Sequence, residues 1–322
     1  MRRIAHRIAV TLALALSALT ASAQAYPERQ VRLIVPFLAG STLDKLARQV
    51  AERMGEQLKG TVVVENITGA GGVVGVQAVL NAPRDGHTLL MGTMGVLAIN
   101  PHIYQQLPYD PLKDLVAVGG VTRTTNAVAV RPGLPVRNMA ELVARAKANP
   151  GKLSYGSAGL GTSSHLAGAM LASLAGIELT HVPYRGSAAA QVDLLGDRID
   201  ILIDAAGNYT SLSAAGKLRV LASTSRSRFP KMPDWPSVHD AGVPGYELTV
   251  WNAIMAPAGT PPARLEALRK ALQAVTSTAA FSASIAPDEP LQMSVDELDR
   301  YVRTEHARWA RIVKDSGAAG SQ

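Results

Sequence analysis

Val31-Arg32-Leu33-Ile34-Val35-Pro36-Phe37-Leu38-Ala39-Gly40-Ser41-Thr42-Leu43-Asp44, with the periodic run that follows to Lys59, decides the fold of this chain. Val31–Phe37 is a short apolar, β-branched run, the composition of a buried strand. Leu43, Leu46, Ala47, Val50, Met54 and Leu58 then recur at helical spacing, which predicts a helix over 43–59 with one apolar face. A strand, a glycine turn and an amphipathic helix make the opening unit of an α/β layer.

Towards the C-terminus the unit repeats. Thr61–Glu65 reads as a second strand, Val73–Asn81 as a helix after a glycine turn, and Thr88–Met91 as a third strand. This βαβαβ order implies a parallel sheet with helices on its faces. The same grammar restarts after Asn126. Asn138 with Glu141 has capping-box spacing for a helix to about Asn149, stopped by Pro150-Gly151. Strands are expected at Leu153–Gly156, Leu179–Pro183, Ile199–Asp204, Arg219–Ser223 and Leu248–Ala256. Helices are expected near 162–175, 186–196, 208–216, 261–276 and 295–314. The expectation is an α/β chain folded as two lobes, 26–125 with 252–322 and then 126–251. The crossings fall near Thr124–Val128 and Leu248–Ala253.

Towards the N-terminus, Arg2, Arg3 and Arg7 precede an apolar run from Ile8 to about Ala21, then Ala21-Ser22-Ala23 and Ala23-Gln24-Ala25. That order is a cleavable secretory signal over 1–25, and its apolar run is too short to span a bilayer. The chain has no cysteine, which excludes disulfides, thiolate metal sites, a cysteine nucleophile and a lipid-modified cysteine. An unanchored secreted chain of this kind belongs in a periplasm. Loss of the three signal arginines lowers the net charge from +7 to +4. With 4% aromatic residues and no basic stripe, this is no nucleic-acid surface.

Two turns carry the candidate chemistry, because ligands of open parallel sheets bind beyond the carboxyl ends of strands. The first is Phe37, Leu38, Ala39, Gly40 and Ser41. The second contains Ser157, Gly159, Gly161, Thr162 and Ser163. Each sets glycine and hydroxyl residues at a helix N-terminus, where free N–H groups and a partial positive charge suit an anion. Neither turn contains Lys or Arg, so a carboxylate there is held by amides, hydroxyls and water. Asp44 has the spacing of a cap partner to Ser41, and His165 that of a packed residue in the second helix. Asp204 closes a strand where a carboxylate can meet a hydroxyl or amine. Thr93 follows the third strand, at its carboxyl end. Gly69-Ala70-Gly71-Gly72-Val73-Val74-Gly75 matches a loose nucleotide fingerprint, but after the second strand and without the acidic partner. A tight turn into a helix is the better reading. No G-x-S-x-G, H-E-x-x-H or P-loop motif occurs, and no metal or cofactor is expected.

Several stretches are together similar to one family. Val35–Asp44, Val64-Glu65-Asn66 with Gly69–Gly72, and Asp85-Gly86-His87-Thr88-Leu89-Leu90 are among them. So are Gly156–Ala167, His181-Val182-Pro183-Tyr184-Arg185-Gly186 and Pro257-Ala258-Gly259-Thr260-Pro261. They resemble the tripartite tricarboxylate transporter receptors, the Bug family, over essentially 26–317. The resemblance implies a type II periplasmic-binding fold with its cleft between the lobes. It also implies a small carboxylate ligand, membrane transporter subunits as partners, a monomeric receptor and no enzymatic activity. It assigns the carboxylate to the loop Phe37–Ser41, with Ser157–Ser163 contributing from the other side. Ser41 replaces the family's usual second glycine, Ile67-Thr68 its Arg-Pro, and Ala169 a common Glu. A secreted enzyme with a Rossmann-like lobe, or a receptor serving a signalling partner, are the competing readings.

Overall fold

The computed structural model describes residues 26–159, 161–315 and 319–320; the proposed signal at 1–25 lies outside them. Ten strands form one continuous curled sheet: β1 (Val31–Val35), β2 (Val62–Asn66), β3 (Thr88–Thr93), β4 (Leu115–Val130), β5 (Ser154–Ser157), β6 (Thr180–Pro183), β7 (Ile201–Ala205), β8 (Arg219–Ser223), β9 (Thr249–Pro257) and β10 (Glu289–Pro290). Their main order is β2-β1-β3-β9-β4-β7-β5-β6, with β8 and β10 also pairing on β4. β1, β2 and β3 are parallel, as are β5, β6 and β7. β4 and β9 run antiparallel to their neighbours, so the sheet is mixed rather than wholly parallel.

β4 joins the two parts. Residues Leu115–Thr125 pair with β9, and from Asn126 onward the strand pairs with β7 and β8 instead. This 16-residue strand was not legible in the sequence, for two reasons. Gly119 and Gly120 interrupt its apolar pattern, and a Cβ at Gly120 would meet the Leu291 carbonyl oxygen at 2.3 Å. Thr122, Thr125 and Asn126 are polar yet buried. Partners meet them at the crossing: Thr224 Oγ1 accepts from the Asn126 backbone N–H at 2.9 Å, and Asn252 Nδ2 donates to Thr122 Oγ1 at 3.1 Å, while Asn126 Nδ2 has no partner.

Strand alternation sorts the core. Val31, Leu33 and Val35 of β1 pack with Val50 and Met54 of the helix Thr42–Leu58 and with the helix Pro262–Thr276. Ile34 points the other way, towards Val73, Val76 and Val79 of the helix Val73–Leu80. In the second part, Ala127, Ala129 and Leu202 face the helix Ser187–Leu195, whereas Val128, Ile201 and Ile203 face the helices Met139–Ala148 and Ser163–Ala175. The helix Val295–Asp315 returns across the first part. Its buried Glu305 accepts from the indoles of Trp251 (3.4 Å) and Trp309 (3.2 Å). Expected helix 208–216 is shorter, a 3-10 turn Ala206–Asn208 followed by Thr210–Ala214.

Candidate functional site

The first turn is held from behind. Ser41 caps the helix Thr42–Leu58, its hydroxyl accepting from Asp44 N–H at 3.2 Å. Asp44, 3% exposed, accepts from Gly40 N–H (2.8 Å), Asn66 Nδ2 (3.0 Å) and Arg48 Nε (3.1 Å). Asn66 Nδ2 also donates to the Phe37 carbonyl at 3.0 Å. Burial acts to raise the pKa of Asp44, but Gly40 N–H, Arg48 and Asn66 outweigh it and hold the carboxyl below its usual range. A capping-box acid returns to the N-cap amide; Asp44 instead reaches one residue further back, to Gly40. Phe37 is half-buried against the core, while Leu38, Ala39 and Gly40 project into solvent with Leu38 70% exposed. The first-turn amides of Thr42 and Leu43 are left without intrahelical acceptors, as at any helix start.

The second turn is more closely tied within itself. Thr162 caps the helix Ser163–Ala175 by accepting from His165 N–H at 3.4 Å, and its hydroxyl donates to Gly159 O at 2.7 Å. Ala158 N–H donates to Ser164 Oγ (2.9 Å), Gly159 N–H to Ser157 Oγ (3.2 Å) and Gly161 N–H to His165 Nδ1 (3.2 Å). The amides of Gly159 and Gly161, expected to face a ligand, are therefore occupied, and the helix-start amides of Ser163 and Ser164 are without intrahelical acceptors. Gly161 adopts φ +73°, and a Cβ there would lie 3.3 Å from Ile103 Cδ1. That approach brings the second turn against the helix Asn100–Ile103, which follows β3.

Since the Thr162 hydroxyl both caps a helix and ties Gly159, Thr162→Val is expected to lower stability by about 1–2 kcal/mol. Denaturant melts of the two proteins check this; an unchanged midpoint would assign the hydroxyl elsewhere.

Thr93 and Asp204 lie at the same ends of their strands. The Thr93 hydroxyl accepts from Val96 N–H at 3.4 Å and so starts the π-helical turn Gly95–Ile99. Asp204 accepts from Asn208 Nδ2 at 3.4 Å, and burial raises its pKa against the opposing bonds from Ser187, Ala205 and Asn208. The Asn126 side-chain Nδ2 and the Tyr209 hydroxyl are buried without a partner.

Sequence reasoning did not single out Asn66, Ser164, Ile103 or His181. Asn66 and His181 stand in stretches that carried the family resemblance, but no spacing rule joins Asn66 to Asp44, or His181 to Ser157. His181 Nε2 lies 2.6 Å from Ser157 Oγ, and its ring stacks on His165 at 4.2 Å. Burial first, and His165 second, push His181 down to about 4 from the ordinary 6.5; burial also lowers His165. The unfolded chain thus takes up protons that the folded chain refuses, so stability from these rings is present above about pH 6.5 and lost towards pH 4. Melting temperatures between those pH values should fall with pH, and the fall should shrink in His181→Gln.

The gly-rich stretch at 69–75 is filled by protein. A Cβ at Gly75 would meet Ile67 O at 2.7 Å and Pro36 Cβ at 2.8 Å. These glycines let a helix pack on β1 and leave no cradle for a phosphate. Each of the two turns leads into a helix N-terminus whose first amides have no intrahelical acceptor. The guanidinium beside the first, Arg48, is ion-paired to Asp44 at 3.0 Å. Such a site attracts a small anion without a dedicated cation.

Comparison with known proteins gives the family and the fold. Residues 46–318 match the family described as the tripartite tricarboxylate transporter family receptor. A Rhodopseudomonas palustris protein solved with adipate superposes at TM-score 0.84 and 35% identity, covering 91% of this chain and 99% of its own. The periplasmic binding protein BugD superposes at 0.81 with 36% identity over 91% and 99%. A second Rhodopseudomonas palustris protein, MatC with bound malate, gives 0.80 and 27% identity over 89% and 100%.

Proposed function

We propose, since this chain belongs to the tripartite tricarboxylate transporter receptor family, that it closes two lobes on a small carboxylate in the periplasm and delivers it to membrane transporter subunits. One lobe comprises 26–125 with 252–322, the other 126–251, and the chain acts as a monomer after loss of the signal at 1–25. The observation that supports the reading is the approach of the Gly161 turn, which opens a helix of the proposed second lobe, to Ile103 of the proposed first. The carboxylate is held by the amides of Thr42, Leu43, Ser163 and Ser164 with water. Phe37, Leu38, Ala39, Gly40, Ser41, Thr93, Ser157, Gly159, Gly161, Thr162, His165 and Asp204 shape its surroundings, and Asp44 acts by fixing the first loop. Relatives bound to adipate and malate support a carboxylate as the ligand class.

Thermal-shift screening of the processed chain against mono-, di- and tricarboxylates tests this. A cognate acid at about 100 times its dissociation constant should add about 2.7 kcal/mol. A panel with no stabilising carboxylate, alongside stabilisation by a nucleotide, would overturn the proposal.

A further inference from the structure

The second turn rests on a stack of three rings. Tyr155 lies on His181 with centroids 4.7 Å apart and planes at 23°, and His181 on His165 at 4.2 Å and 21°. The stack is fixed at its far end: Tyr155 donates to the His165 carbonyl at 3.3 Å, and a Cβ at Gly168 would come within 2.1 Å of the Tyr155 ring. Both imidazoles engage the turn. His181 Nε2 meets Ser157 Oγ at 2.6 Å, and His165 Nδ1 accepts from Gly161 N–H at 3.2 Å. An amide nitrogen can only donate, so His165 Nδ1 is unprotonated in this state.

We infer that this stack positions the second turn and couples carboxylate capture to uptake of one proton by the histidine pair. The inference rests on the proposed carboxylate site and adds its regulation. A carboxylate at the Ser163 and Ser164 amides places negative charge beside the rings, which favours the protonated imidazole. A proton added at His165 Nδ1 displaces Gly161 N–H, which then turns to donate to the ligand. The proton comes from solvent, and a single charge is stored because two imidazolium rings 4.2 Å apart repel. The groups facing the pair are Tyr155 and Ser157 of β5, the two rings themselves, and Tyr246 behind Tyr155, whose hydroxyl donates to Ala167 O at 3.0 Å. Burial and mutual proximity keep the free pair neutral, so there is a proton to gain on binding. Linkage then makes binding tighter as pH falls.

The test is calorimetric titration of the processed protein with adipate, and with malate, at about pH 6 and about pH 8, in buffers of differing ionisation heat. Wild type is compared with His165→Asn, whose amide oxygen replaces the Nδ1 acceptor but does not titrate. Wild type should bind several-fold more tightly at the lower pH, with buffer-dependent heat showing net proton uptake. His165→Asn should lack that uptake relative to wild type and show a flat affinity. A merely structural ring would shift the variant's melting temperature and leave the proton count alone. Equal proton counts in wild type and a folded His165→Asn overturn the inference while leaving the carboxylate site intact. No heat with any carboxylate at either pH overturns the site and the inference together.

Discussion

Asp44→Ala is expected to lower stability by about 2–3 kcal/mol and to weaken carboxylate binding by about 100-fold, through the loop that Asp44 holds. The carboxylate is 3% exposed and gathers three donors: Gly40 N–H, Asn66 Nδ2 and the Arg48 guanidinium. Alanine leaves the Asn66 amide facing an apolar gap and lets Gly40 leave its position. Asn66 also holds the Phe37 carbonyl, so both ends of the exposed segment 38–40 loosen together. Asp44→Asn should fall between, because its oxygen can replace one acceptor while its NH2 opposes that of Asn66 or Arg48. The measurement pairs denaturant melts with titration of the best carboxylate. An Asp44→Ala protein that melts within about 0.5 kcal/mol of wild type and binds equally well would show that the loop holds its shape without the clamp. Because the Asp44 carboxyl lies below its ordinary range, its contribution is present at neutral pH and lost as acid protonates it.

Gly161→Val should abolish measurable binding in a protein that still folds. Gly161 sits at φ +73°, a conformation that costs a β-branched residue on the order of 1–3 kcal/mol. Its added Cβ would stand 3.3 Å from Ile103 Cδ1, and valine's two further methyls would reach closer. Those methyls push the second turn away from the helix Asn100–Ile103 and displace the Ser163 and Ser164 amides that follow it, so the proposed cleft cannot close on a small acid. Gly161→Ala is the graded control, with strain but a smaller intrusion, and should retain weak binding. Small-angle scattering with saturating carboxylate should show compaction in wild type and none in Gly161→Val. Compaction and unimpaired affinity in the valine variant would place the ligand away from the Gly161 turn.

Local order was readable because it depends on neighbours in the chain. The apolar run of β1, the helical period through Met54, and the caps at Ser41, Asn138 and Thr162 all arise within a few residues, and each stands where the spacing put it. Glycine before hydroxyl before helix likewise named both turns of the candidate site. β4 escaped because its middle is polar and glycine-containing, and those residues meet their partners Thr224, Ser225, Asn252 and Leu291 about a hundred positions or more away.

The sequence by itself therefore determined the α/β class, the family and the two turns that present helix N-termini. Tertiary structure decided which groups in those turns remain free. Thr162, Gly159 and Gly161 all read as ligand donors in the sequence, yet their hydrogens are taken by Gly159 O, Ser157 and His165. Asp44 became a clamp on Gly40 and Asn66, and His181 arrived from β6 to complete a ring stack. A hydrogen bond is short-ranged and each donor has few partners, so its assignment waits until the chain has brought distant residues within about 3 Å.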